Sequence, residues 1–239
     1  MSAAFDAYRT SYETVVQDSI AFSGLEHEFF LRAKVRVLAE RFAAHFGEVR
    51  PNLVDVGCGV GRIHDALAPM VGSLAGSDVS GEAIERARQE HPQFAYRQSE
   101  GVSLPWDAAA FDVALAVNVF HHVPPHDWAT LAAEMRRVTR AGGLVVLIEH
   151  NPWNPATRLA VARCPFDHDA VLLHAGRARD VLRGAGLESA ESRHFLFLPS
   201  EAPRAGWLEG RLRRLPFGAQ HLTVGTVAPQ RLEGGRADA

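Results

Sequence analysis

Two cysteines, Cys58 and Cys164, and a single lysine, Lys34, are the scarcest reactive side chains in this 239-residue chain. Two cysteines cannot build a disulfide framework, which points to a reducing compartment. No apolar run approaches the ~20 residues needed to cross a bilayer. The stretch Met1–Tyr12 is polar and aromatic and lacks the apolar segment of a signal peptide. Together these absences set the expectation of a cytoplasmic protein with no membrane association. Charge of one sign is lacking too: 25 basic residues face 28 acidic ones, for a net charge of −3 and a pI near 6.5. That balance carries no electrostatic footprint for nucleic acid. The near absence of lysine is read as coding bias and given no functional weight. Internal repeats and domain-separating linkers are missing as well.

What is present is ordinary globular material, 47% hydrophobic and 22% charged, long enough for one large domain. Residues 5–47 read as two or three helices. Phe29, Phe30, Ala33, Val37, Leu38, Arg41 and Phe42 recur at helical spacing until Gly47 and Pro51 stop the pattern. Short apolar runs then alternate with helical segments. Strands are expected at Leu53–Val56, Ser73–Asp78, Gln93–Gln98, Phe111–Asn118 and Leu144–Glu149. Helices are expected at Arg62–Met70, Gly81–Glu90 and Trp128–Thr139, the last ending before Ala141-Gly142-Gly143. This alternation predicts a parallel sheet with helices on both faces. Beyond residue 150 come a punctuated loop, Asn151-Pro152-Trp153-Asn154-Pro155, and a helix to Arg163. A helix through Arg177–Arg183 follows, then two long strands, Leu187–Leu198 and His221–Val227, suited to antiparallel pairing. A helix at Trp207–Leu215 lies between those strands, and its Arg211, Arg213 and Arg214 read as a solvated face.

The richest local signal is Leu53-Val54-Asp55-Val56-Gly57-Cys58-Gly59-Val60-Gly61, an apolar strand followed by glycines at alternate positions. Glycine has no Cβ and tolerates positive φ, so backbone here can approach a ligand closely. In open parallel sheets, ligands bind beyond the carboxyl ends of the strands. A dinucleotide fingerprint would need a sixth-position glycine, and Arg62 stands there, which disfavours an oxidoreductase.

With this loop, three further segments in register resemble the class I S-adenosylmethionine-dependent methyltransferases over roughly residues 50–228. They are Asp78 at the end of the second strand, Ser99-Glu100-Gly101 with Leu104-Pro105, and Phe111-Asp112-Val113 through Asn118-Val119-Phe120-His121-His122-Val123. The resemblance implies a Rossmann-like, doubly wound, mostly parallel seven-stranded sheet with an antiparallel last strand. It divides the chain into an N-terminal helical lid (1–50), the cofactor-binding domain (51–228) and a flexible tail (229–239). It implies S-adenosyl-L-methionine as cofactor, held by Asp55, Gly57, Gly59, Gly61, Asp78, Val79, Glu100, Gly101 and Asn118. Tyr12 of the lid is expected at the cofactor carboxylate. Glu100 departs from the aspartate usual at its place. Asp55 capping the turn and Asp78 capping the helix at Gly81 are the plain structural alternatives.

The expected activity is methyl transfer to oxygen or carbon of a small organic acceptor, in a biosynthetic setting. His121, His122 and His150 are the candidate bases, because an imidazole titrates near neutrality. Glu149 is the candidate orienting residue. His121 and His122 packing the sheet edge is the bland reading of the same pair. Metal binding by His121, His122, His126 and Asp127 is disfavoured, because Pro124-Pro125 interrupts regular ligand spacing. The motif of amino-group methyltransferases acting on DNA or protein is absent, as Asn118-Val119-Phe120-His121 occupies its place. Loops within 149–173 are expected to shape the acceptor pocket. A homodimer stays open. Rival readings are a protein of this fold that binds the cofactor but does not methylate, or one that supports a partner subunit.

Overall fold

A computed structural model describes residues 17–21, 24–200 and 202–229. Element by element it runs α1 (His27–Phe46), β1 (Asn52–Val56), α2 (His64–Leu67), β2 (Ser73–Asp78), α3 (Gly81–Glu90) and β3 (Ala95–Gln98). Then come β4 (Phe111–Val117), α4 (Trp128–Val138), β5 (Thr139–His150), α5 (Pro155–Arg163), α6 (Ala175–Gly184), β6 (Glu188–Phe195), α7 (Pro203–Leu212) and β7 (Gln220–Thr226). The strands form one seven-stranded sheet in the order β3-β2-β1-β4-β5-β7-β6. β1 to β5 are parallel neighbours, and β7 runs antiparallel to both β5 and β6. This is the expected doubly wound sheet, with the expected antiparallel last strand.

Successive side chains of a strand point to opposite faces, and here both faces are apolar. On β5, Leu144, Val146 and Ile148 share one core with Leu38 and Phe42 of α1 and Leu67 of α2. Val145 and Leu147 point the other way, into a core with Phe120, Trp128, Met135 and Leu182. The near-continuous hydrophobic runs of β4 and β5 are thus those of strands covered on both sides. Within the expected lid segment, α1 buries Phe29, Ala33, Lys34, Leu38 and Phe42. No helix of the described residues is long and apolar enough to cross a membrane.

Three of the boundaries that differ from expectation have a local cause. α2 is confined to His64–Leu67 and passes into a 3-10 turn at Ala68–Met70. Pro69 explains this, since it has no N–H to continue the helical ladder. β5 begins directly at Thr139, which pairs with Phe111 before the register shifts at Val113. The irregularity needs Gly143, because a Cβ there would lie 2.5 Å from the Asp112 carbonyl oxygen. The helix expected at Trp207–Leu215 instead spans Pro203–Leu212, started by a proline whose fixed φ suits the first turn.

The punctuated loop after β5 is pinned to the segment leading into β7. Asn151 Nδ2 donates to the carbonyls of Pro216 (2.8 Å) and Gly218 (2.7 Å), and Asn154 Nδ2 donates to that of Phe217 (2.7 Å). Asn154 also caps α5 by accepting the Thr157 N–H.

Candidate active site

The glycine loop leaves β1 and turns under the end of β2. Gly57 and Cys58 donate their N–H groups to the Ser77 carbonyl at 2.7 and 3.1 Å. Gly59 N–H donates to Asp78 Oδ2 at 2.9 Å. Gly57, Gly59 and Gly61 all have positive φ, yet they serve different neighbours. A Cβ at Gly57 would lie 2.6 Å from Val119 Cγ2, and one at Gly61 2.7 Å from the Tyr96 hydroxyl. A Cβ at Gly59 would meet nothing within 4 Å. Two glycines therefore let the protein close on itself, and the middle one faces open space.

Asp78 accepts a second N–H, from Ser80 at 2.9 Å. The cap of α3 is Ser80, whose Oγ accepts the Ala83 N–H. Burial raises the Asp78 pKa, and the backbone N–H groups of Ser80, Gly59 and Val79 pull against it. Asp55 is buried, and His64 Nε2 lies 3.0 Å from its Oδ2. The same imidazole stacks on Tyr96 and contacts its hydroxyl through Nδ1 at 2.7 Å. Asp55 Oδ1 is buried with no hydrogen-bond partner. Val79 is half-buried beside the loop, and Glu100 and Gly101 are exposed. Their turn is tied to the sheet where Ser99 N–H donates to the Asp78 carbonyl. The following segment is tied to α4. Glu134 accepts the Leu104 N–H, and Arg137 donates to the carbonyls of Leu104 and Trp106.

At the end of β4, Asn118 holds φ 57°. This left-handed conformation is costly for a side-chain-bearing residue and concentrates at functional sites. The turn that follows is organised by Glu149 from the end of β5. Glu149 Oε1 accepts the N–H groups of Val119 (3.0 Å) and Phe120 (2.7 Å), and Oε2 faces His121 Nδ1 at 2.6 Å. Both side chains are buried, at 0% and 2% exposure. The His121 ring lies 4.1 Å from that of His122 and 5.2 Å from that of His150. Asp167, from the loop after α5, places Oδ1 3.5 Å from His121 Nε2 and 3.4 Å from His122 Nε2. Burial pulls the His121 pKa down, but the carboxylates of Glu149 and Asp167 outweigh it and hold the group up at about 9. Burial and the charge of His121 push His122 down to about 4 and His150 down to about 3. His121, His122, His150 and Glu149 thus lie together. His126 is exposed and faces Asp127 at 3.6 Å. Tyr12 lies outside the described residues.

Over residues 54–147 the chain matches the family described as a methyltransferase domain. An uncharacterized methyltransferase of Synechocystis is 29% identical over 43% of this chain and 49% of its own length. The ubiquinone biosynthesis O-methyltransferase of Ruegeria pomeroyi is 27% identical over 69% of this chain and 72% of its own. A solved structure from Thermotoga maritima is titled an S-adenosylmethionine-dependent methyltransferase and a possible histamine N-methyltransferase. It superposes with a TM-score of 0.67 at 18% identity, covering 95% of this chain and 99% of its own. Over residues 54–147 this chain is similar to methyltransferase domains, and its fold is that of the Thermotoga structure. It spans about half the length of the Synechocystis relative.

The comparisons imply S-adenosylmethionine as the cofactor, and the residues present here fit it. Gly59 and Gly101 leave space where a side chain would intrude, and Asp55 keeps an unpaired buried oxygen. Asp78 retains lone pairs beyond its two backbone donors. Sequence reasoning missed four residues of this candidate site: His64 and Tyr96 behind Asp55, Asp167 beside the histidines, and Lys34. Lys34, from α1, is buried, and its pKa is lowered to about 8 by burial, against the pull of Glu149 and Asp55. Its uniqueness among the basic residues was the one available signal.

Proposed function

We propose that this chain transfers a methyl group from S-adenosylmethionine to oxygen or carbon of a small organic acceptor. The observation that carries the reading is the adjacency of two sites at the carboxyl ends of β1, β2, β4 and β5. One is an open-faced glycine loop with an acid at the end of β2. The other is a buried imidazole–carboxylate pair set one strand away. The likeness to the Ruegeria relative, an O-methyltransferase of ubiquinone biosynthesis, favours a hydroxyl on a ring as the acceptor.

In this reading, backbone amides of residues 57–61 and the Asp78 carboxylate hold the cofactor. Val79, Glu100 and Gly101 flank its base, Asn118 adjoins its reactive end, and Tyr12 meets its carboxylate. When bound, the sulfonium supplies an electrophilic methyl group. The chain's own residues supply alignment, which accounts for much of the acceleration in an in-line displacement. Glu149 acts as a positioning residue: its bonds to Val119, Phe120 and His121 fix the turn and aim the imidazole. His121, His122 and His150 face the acceptor and handle its proton.

The test uses S-adenosylmethionine labelled in the methyl group, incubated with a panel of phenols and hydroquinones and read by mass shift. Labelled product is expected from the wild type, and a turnover ~10–100-fold lower from Glu149→Gln, by analogy with other orienting carboxylates. Cofactor binding without labelled product across the panel would favour a non-methylating role.

A further inference from the structure

We propose that His121, His150 and Asp167 hold a divalent transition-metal ion, a site separate from that of the cofactor. One ligand atom from each of the three residues lies within 4.8 Å of the other two. The finer spacing is what distinguishes this cluster from an ordinary ion-pair network. Asp167 Oδ1 stands 3.5 Å from His121 Nε2 and 3.4 Å from His122 Nε2, beyond the usual range of a direct N–H···O bond. Ligand atoms bound at about 2.0 Å around a tetrahedral centre lie roughly 3.3 Å apart. The 3.5 Å between His121 Nε2 and Asp167 Oδ1 is therefore close to the separation of two ligands of one ion.

The tautomer agrees. A carboxylate only accepts hydrogen bonds, so the 2.6 Å contact keeps a proton on His121 Nδ1, donated to Glu149. That leaves Nε2, on the side of Asp167, as the nitrogen a cation would take in exchange for the proton it carries. Such a carboxylate–histidine pair, with the far nitrogen left for a cation, is the supporting arrangement found around metal-bound histidines. Glu149 is itself fixed by two backbone N–H groups, so the imidazole is held from behind. The carbonyl of His121 is also engaged, accepting the Val171 N–H at 2.9 Å. That bond ties the loop carrying Asp167 across the histidine turn.

Two imidazoles and one carboxylate form a borderline donor set, suited to zinc, cobalt(II) or iron(II) rather than to magnesium or calcium. Three protein ligands leave a position for water or for an acceptor oxygen, and with the ion bound His122 is the imidazole left beside it to take the acceptor's proton. The proline pair at 124–125 is no obstacle, because the ligands come from the ends of β4 and β5 and from the loop after α5, not from one helix.

The experiment takes the full chain, strips it with a chelator and titrates it with cobalt(II), reading visible d–d absorption and metal stoichiometry. One equivalent, displaced by zinc, is expected for the wild type. His150→Ala and Asp167→Asn should abolish the band, Glu149→Gln should weaken binding ~10–100-fold, and His126→Ala should change nothing. Calorimetry with S-adenosylmethionine on each variant shows whether the fold survives and keeps the test apart from the methyltransferase reading. Asp167→Asn, nearly isosteric, serves if His150→Ala fails to fold. Absence of stoichiometric cobalt in the wild type, or an undiminished band in folded Asp167→Asn, overturns the proposal.

Discussion

At Gly59 an added methyl group would meet no protein atom, whereas at Gly57 it would press on Val119. The two positions therefore separate folding from binding. Gly59→Ala carries only the cost of a left-handed alanine, ~1 kcal/mol, and in a chain of this size that lowers the Tm by a few degrees. Its affinity for S-adenosylmethionine, measured by calorimetry, should fall at least tenfold. Gly57→Ala adds a steric clash to the same strain and should lose distinctly more thermal stability. Normal cofactor affinity in Gly59→Ala would place the ligand elsewhere.

Lys34 yields a pH prediction. Its folded pKa, about 8, lies below the ordinary lysine value of 10.5. The unfolded chain therefore takes up this proton first as pH falls, and stability rises with pH between about 8 and 10.5. Below that window the penalty is fully present and on the order of 3 kcal/mol. The charged groups facing this amine are Glu149 and Asp55, with His150 also within electrostatic reach. Lys34→Met should be more stable than the wild type at pH 7, and the gap in Tm should narrow as pH approaches 10. A gap independent of pH would show that the amine does not titrate in this window.

At the scale of elements, a carboxylate of α7 anchors it beside the sheet. Glu209 is nearly buried, and its Oε1 accepts the N–H groups of Phe197 (2.6 Å) and Leu198 (2.8 Å) just beyond β6. Glu209→Ala leaves two donors unpaired and should cost about 1–3 kcal/mol, read as a drop of several degrees in Tm. Glu209→Gln keeps an acceptor and should recover most of that loss. No local pattern announced this contact. The sequence placed a helix nearby but set it four residues late, because amphipathic spacing was weighed above the helix-starting Pro203. β5 shows the same limit, since Gly142-Gly143 read as a turn. In the structure it is an irregularity within a strand, tolerated because Gly143 has no side chain to strike Asp112. Where hydrophobic period alone decides, as in β1, β2, β4 and α3, the boundaries agreed to within a residue.

At the scale of the whole molecule, the glycine loop, the Asp78 corner and the Asn118 turn come from three separate strands, so a ligand touching all three binds only the folded chain. S-adenosylmethionine at a hundred times its Kd should add ~2.7 kcal/mol, a rise in Tm of about 5–10 °C for a chain of this size. NAD at the same concentration should give no shift. A shift with NAD alone would reverse the choice of cofactor.

The order of strands and helices, the two covered faces of the sheet and the position of the glycine loop were determined by the sequence itself. Each depends on residue spacing within a few positions, a 2-residue or 3.6-residue period or a run of alternate glycines. The assembly of His121, His150 and Asp167, the partnership of Asp55 with His64 and Tyr96, and the burial of Lys34 were decided only in the tertiary structure. Those residues lie far apart along the chain, and it is sheet pairing and the loop after α5 that bring them together. An isolated aspartate or lysine carries no local mark of the neighbour that folding will give it.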